Sequence, residues 1–207
     1  MRVLVFGDSI TQGFWDIDGG WVSRIRKHYD QLCIDGTDPD SPTIFNLGVS
    51  ADSSSDVLAR LAVETKARAN QEVALVISVG VNDSRTKSGT NFSDPEQYKR
   101  NLAAILERAK EYSSKIMFVG LTPCAEERSN PVAWNDTGYT NDRIKEFDAT
   151  LREFCTANSV AFIEVFEPFT NAQAKTELLP DGVHPNSEGH QLIATLVLPQ
   201  LEVMLAS

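Results

Sequence analysis

Five apolar runs of strand length, separated by segments with helical spacing, constrain this chain more than any other feature. The runs occupy residues 3–6, 43–47, 73–79, 116–121 and 160–165, and they are continuous rather than alternating. A strand with one wet face alternates, so continuous runs predict strands covered on both faces, as in a parallel sheet. Between them the spacing changes to three and four, as in Tyr98, Leu102, Ile105, Leu106, Ala109 and Tyr112. This predicts a helix, and Ser93-Asp94-Pro95-Glu96 before it has the Ser-x-x-Glu form of a capping box. Shorter patterns predict four more helices: Val22, Ile25 and Tyr29; Val57 or Leu58 with Leu61; Ile144, Phe147, Leu151 and Phe154; and Leu192, Ile193 and Leu196. Strand alternating with helix favours a parallel sheet with helices on both faces and right-handed crossovers. Ligands of such sheets sit at the carboxyl ends of the strands.

A chain of 207 residues with 42% hydrophobic content has enough core for one domain spanning 1–207. Its formal net charge is -10, with 19 Lys plus Arg against 29 Asp plus Glu and no basic block, which argues against nucleic acid as a partner. No apolar run approaches the ~18 residues of a membrane span, and a strand beginning at Val3 leaves no room for a leader. The expectation is a cytoplasmic protein without stable membrane association. Cys33, Cys124 and Cys155, odd in number and irregularly spaced, read as reduced and mostly buried thiols. Residues 37–42 and 122–139 read as loops, and loops as long as the second are often functional.

The polar residues behind each strand are more specific. Gly7-Asp8-Ser9 follows the first, Gly48 the second, Gly80-Val81-Asn82-Asp83 the third, and Asp181-Gly182-Val183-His184-Pro185 precedes the last helix. In a parallel sheet these segments open onto one edge and supply the parts for acyl transfer. A Ser hydroxyl needs a neighbouring base. Of the three histidines, His28 and His190 fall within helical segments as packing or solvated residues, whereas His184 stands three residues after Asp181. That spacing lets the carboxylate orient the imidazole. The negative oxygen of a tetrahedral intermediate needs fixed donors, for which Gly48, Asn82 and the N–H of Ser9 are the candidates.

Together the four segments resemble the SGNH hydrolases, the GDSL esterase and lipase family. "GDSIT" matches its first block with Ser9 as nucleophile, "NLGVS" its second with Gly48, "GVND" its third with Asn82, and "DGVHP" its fifth with Asp181 and His184. The blocks stand in family order from residue 7 to 185. The resemblance implies a three-layer α/β/α sandwich with a five-stranded parallel sheet, flavodoxin-like, that hydrolyses small-molecule esters or thioesters without metal or cofactor. One departure is Ala51, where family members frequently carry a second glycine.

Other readings compete at single motifs. Asp8 after the first strand resembles the nucleophile of an aspartate-based phosphatase, but that chemistry wants a second Asp where Ile10 stands. A non-catalytic binding module on the same scaffold is the other alternative. Asp16-Ile17-Asp18-Gly19 opens like a calcium loop but lacks the later ligands and reads as a turn. Aromatic residues beside loops usually pack, but some of Phe14, Trp15, Trp21, Trp134 and Tyr139 are expected to line an acyl or leaving-group pocket.

Overall fold

In the computed structural model, which describes residues 1–206, the chain runs as β1 (Arg2–Gly7), α1 (Ser9–Gln12), α2 (Gly20–Ile34), β2 (Thr43–Gly48), α3 (Ser54–Lys66), β3 (Val73–Ser78) and α4 (Val81–Ser84). It continues through β4 (Thr86–Lys87), β5 (Thr90–Asn91), α5 (Pro95–Lys110), β6 (Ile116–Val119), α6 (Glu126–Ser129) and β7 (Thr137–Gly138). The last elements are α7 (Asn141–Asn158), β8 (Ala161–Ile163), α8 (Phe166–Gln173) and α9 (Ser187–Ala206).

The five apolar runs form one parallel sheet in the order β2-β1-β3-β6-β8, the flavodoxin-like order. Helices α2 and α9 pack together on one face, and α3, α5 and α7 stand in a row on the other. The result is the three-layer α/β/α sandwich. Central strands are buried on both faces, which is why β1 and β3 read as unbroken Val, Leu, Ile and Phe. The register matters for function. Gly7 lies opposite Gly48 on one side and Ser78 on the other, so the chain leaves β1, β2 and β3 at one level of the carboxyl edge.

Several boundaries differ from the sequence reading. Val79, Leu121 and Val165 are buried but lie beyond the ladders of β3, β6 and β8, because the core continues past the last inter-strand hydrogen bond. Asp94, not Ser93, caps α5: Pro95 at the first helical position holds residue 94 extended, and Asp94 accepts from Gln97 N at 2.7 Å. The capping box belongs to α3, where Ser53 and Asp56 reciprocate. Segment 122–139 holds α6 and β7, and β7 pairs with β4 in a small antiparallel sheet of three strands, order β5-β4-β7. Asp16 closes its turn by accepting from Gly20 N at 3.0 Å and pairing with Arg24. No helix among the described residues is long and apolar enough to cross a membrane.

Candidate active site

The β1 exit shows why a Ser follows Gly-Asp. Gly7 must lack a side chain, since a Cβ there would fall 2.1 Å from Thr11 Oγ1. Asp8 is the N-cap of α1, its Oδ1 accepting from Ile10 N at 3.0 Å, and Gly13 ends this one-turn helix in the left-handed conformation at φ 91. Ser9 is thereby the first helical residue. Its backbone N–H has no acceptor among the described residues, and its side chain stands on the wall of a cavity of about 330 Å³.

Ser9 Oγ lies 2.9 Å from His184 Nε2, and His184 Nδ1 lies 2.6 Å from Asp181 Oδ2. A carboxylate at Nδ1 makes that nitrogen the protonated one and leaves the Nε2 lone pair to accept the Ser9 hydroxyl proton. Asp181 Oδ1 accepts the backbone N–H groups of His184 at 2.8 Å and Val183 at 2.9 Å, and its Oδ2 also accepts Trp15 Nε1 at 2.7 Å. Partial burial alone would raise its pKa; the hydrogen bonds from His184 and Val183 outweigh that and hold it down at about 2. Behind the serine, burial pushes Asp8 up to about 6 against the opposing pull of the Ile10 N–H and of His184.

Asn82, in α4, brings its amide to the other side of Ser9. Its Oδ1 accepts Tyr139 Oη at 2.9 Å and Arg85 Nη1 at 3.1 Å, which fixes Nδ2 as the donor end of the amide. Nδ2 donates to Asp52 O at 3.1 Å, and its contact with Asp8 Oδ2 is long at 3.4 Å. The N–H of Gly48 donates to Asn46 Oδ1 at 2.9 Å, and Gly48 is not among the residues that line the cavity. Ala51 does line it, in the left-handed conformation at φ 68, with a backbone N–H that no group among the described residues accepts. An alanine in that conformation leaves no mark in a sequence; the only signal was that relatives frequently place glycine there.

Phe14, Trp15, Trp134 and Tyr139 line the cavity, but Trp21 is fully buried in the core, where α2 meets the sheet. The Phe14 ring lies 4.9 Å and the Trp134 ring 6.0 Å from the imidazole of His184, centre to centre. Of the remaining histidines, His28 faces Glu202 at 3.3 Å near the surface. His190 is completely buried, with Nε2 at 3.4 Å from Phe14 O, and burial drives its pKa down to about 4. No group of three or more His, Cys, Asp or Glu side chains among the described residues is placed to hold a metal ion.

Comparison with known proteins agrees with this architecture. Residues 5–192 match the GDSL-like Lipase/Acylhydrolase family. Esterase TesA of Pseudomonas aeruginosa is 32% identical over 206 residues, covering 98% of this chain and 89% of that protein. The lipase/acylhydrolase from Enterococcus faecalis superposes with a TM-score of 0.74 at 22% identity, over 98% of this chain and 95% of that one. Axe2, an acetylxylan esterase from Geobacillus stearothermophilus, gives 0.74 at 17% identity over 97% and 93%. These two structures bear on the fold alone. The family match and the TesA relationship span nearly the whole chain, and the chain belongs to the GDSL-like lipase/acylhydrolase family as an esterase or acylhydrolase of that type.

Proposed function

We propose that the enzyme is a single catalytic domain over residues 1–207 that cleaves carboxylic esters or thioesters of small to medium acyl groups through an acyl-enzyme at Ser9. The observation that carries this reading is the relay of 2.9 Å and 2.6 Å from Ser9 Oγ through His184 to Asp181. Ser9 Oγ attacks the carbonyl carbon while its proton passes to His184 Nε2, and Asp181 stabilises the imidazolium. Charge gathers on the carbonyl oxygen, for which the donors are the N–H groups of Ser9 and Ala51 and the Asn82 amide hydrogen that makes only the long 3.4 Å contact with Asp8 and would turn from it to the oxyanion. Collapse breaks the C–O or C–S bond, and the alcohol or thiol leaves with the proton from His184. Water then gives a proton to His184 and its oxygen to the acyl carbon, and His184 passes that proton to Ser9 Oγ as the carboxylic acid departs.

Substrate size follows from the cavity, whose volume of about 330 Å³ is at the low end for small-molecule sites, roughly 300 to 1,000 Å³. Phe14, Trp15, Val81, Val132 and Trp134 make the wall largely apolar. A cavity of that size favours a small soluble ester over a bilayer substrate. The cytoplasm is the proposed location, since Cys33, Cys124 and Cys155 are all unpaired, with Cys33 exposed.

The test is covalent labelling with a fluorophosphonate, located by peptide mapping, alongside nitrophenyl esters of graded chain length, acyl thioesters, acetylated sugars and lysophospholipid. Label on Ser9 with activity falling beyond medium acyl length is the expected result. Label elsewhere, or none, sinks the acyl-enzyme reading.

A further inference from the structure

We propose that Trp15 is a positioning residue for the acid–base pair as well as a wall of the substrate cavity, its indole N–H fixing the carboxylate of Asp181 in line with His184. The inference rests on the assignment of Ser9, His184 and Asp181 above. Four donors surround the Asp181 carboxylate, and three of them come from Val183 and His184, within three residues of it. The fourth, Trp15 Nε1 at 2.7 Å, comes from the far end of the chain and meets Oδ2, the oxygen that holds the imidazole at 2.6 Å. Without it, Oδ2 would keep a single partner, the imidazole of His184.

Two features show that packing alone does not account for Trp15. The residue is 63% exposed, so its ring gains little from burial where it stands. Its backbone is left-handed at φ 65, which costs a non-glycine residue about 1 to 2 kcal/mol. An exposed, bulky residue held in an unfavourable conformation is compensated by what its side chain reaches. Phe14 completes the brace: its ring packs edge-on to Trp15 at 4.8 Å and tilts over His184 at 4.9 Å. The Phe14-Trp15 pair therefore brackets both members of the acid–base pair, His184 by ring contact and Asp181 by hydrogen bond. The same turn that presents Ser9 also supplies this brace, so the two ends of the relay are held by one short segment.

The consequence for chemistry has a definite sign. A neutral donor on Oδ2 draws off part of the charge that the carboxylate presents to the Nδ1 proton. Removing it lets Asp181 hold the imidazolium more tightly, so the acid limb of kcat/KM moves to higher pH, while the freed carboxylate rotates and kcat falls. Asp8 from the β1 exit, His190 from α9, Tyr139 behind β7 and Arg85 after α4 are ionisable groups around this pair, and all four remain in every variant.

Rate–pH profiles decide the matter for the wild type, Trp15→Phe, Trp15→Ala, Asp181→Asn and the Trp15→Phe/Asp181→Asn double variant. A further protein carries 3-benzothienylalanine at position 15, which keeps the bicyclic shape and replaces the N–H by sulfur. Trp15→Phe and the benzothienyl protein should both lose about tenfold in kcat and shift the acid limb upward by about half a pH unit or more. Trp15→Ala alone should also raise KM for the bulkier esters. In the Asp181→Asn background, Trp15→Phe should produce no further shift. A benzothienyl profile that superimposes on the wild type reduces Trp15 to a cavity wall and overturns the proposal, as does a shift that persists without Asp181. Full activity in Asp181→Asn itself would instead overturn the underlying relay, an outcome separable from the first two.

Discussion

The turns leaving β1 and β2 start level with each other, Gly7 opposite Gly48, yet they serve the cavity in different ways. After β1 the chain folds at once into α1, and two residues beyond the glycine the Ser9 hydroxyl and N–H face the cavity. After β2 the chain first makes room for that helix. A Cβ on Gly48 would meet Gln12 N at 2.3 Å and Asp8 O at 2.8 Å, and Asn46 reaches over to bond Gly48 N and Thr11 O, each at 2.9 Å. Only three residues later does a free N–H appear, on Ala51. The glycine of this turn marks a close approach of two backbones, and the unpaired N–H belongs to a left-handed residue downstream of it.

The largest expected effect tests the β1 side. Ser9→Ala removes the nucleophile and leaves every packing contact of α1 in place, so kcat should fall by about a millionfold. Its thermal midpoint should match the wild type. Retention of more than about a thousandth of the wild-type rate would move the nucleophile elsewhere and dissolve the contrast between the two turns.

Gly48→Ala comes next and bears on the β2 side. The substitution keeps the backbone N–H, so a donor role alone predicts little change. Packing predicts that the added methyl drives β2 and α1 apart, at a cost of about 3 kcal/mol in urea unfolding and with slowed fluorophosphonate labelling of Ser9. Unchanged stability would return Gly48 to the list of possible donors.

Asp8 ties the β1 turn to pH. Its native pKa of about 6 lies above the value of 3.8 for a free carboxyl, so in the window between them the folded protein holds a proton that the unfolded chain has lost. Stability is fully present below the unfolded pKa and falls as pH rises through the native one. Asp8→Asn keeps the cap and abolishes the titration. It should therefore gain about 2 to 3 kcal/mol relative to the wild type at pH 7.5 and nothing at pH 4, measured as unfolding free energies in urea. An equal difference at both values would mean that burial of the charge is relieved by some other route.

Much of the fold was legible because burial on both faces writes continuous apolar runs, and the four motifs behind them lie where β1, β2, β3 and the segment before α9 open on the carboxyl edge. What escaped has physical reasons. The strands of the β5-β4-β7 sheet are two residues each and include Thr86, Lys87, Thr90, Asn91, Thr137 and Gly138, too short and too polar to show a period. Helix α8 has Pro168 in its first turn and buries only Phe166 and Phe169, too few to establish a helical face. Trp21 and Trp15 are alike as sequence, an aromatic residue after the GDSIT motif, but α2 turns one into the core and the α1 exit holds the other over Asp181. Ala51 is the clearest case, since its contribution lies in a dihedral angle and an unpaired N–H.

The smallest expected effect follows from that dihedral. Ala51→Gly is the converse of Gly48→Ala, made three residues downstream on the same turn. Glycine adopts φ 68 without the clash that Ala51 bears, a local relief of about 1 kcal/mol, and the unfolded chain gains back a comparable entropy. The thermal midpoint should therefore move by no more than a few degrees, ~4 °C at most. Because the N–H that the oxyanion would meet is unchanged, kcat on a short ester should stay within about threefold of wild type, far from the ~100-fold lost with an oxyanion donor. If Gly48→Ala is damaging and Ala51→Gly is benign, the two positions are assigned by the pair of substitutions together: one needs the absence of a side chain, the other only its backbone. A loss beyond tenfold in Ala51→Gly would show instead that the methyl group on the cavity wall, by stiffening the loop or touching the acyl group, carries part of the catalysis assigned to the N–H.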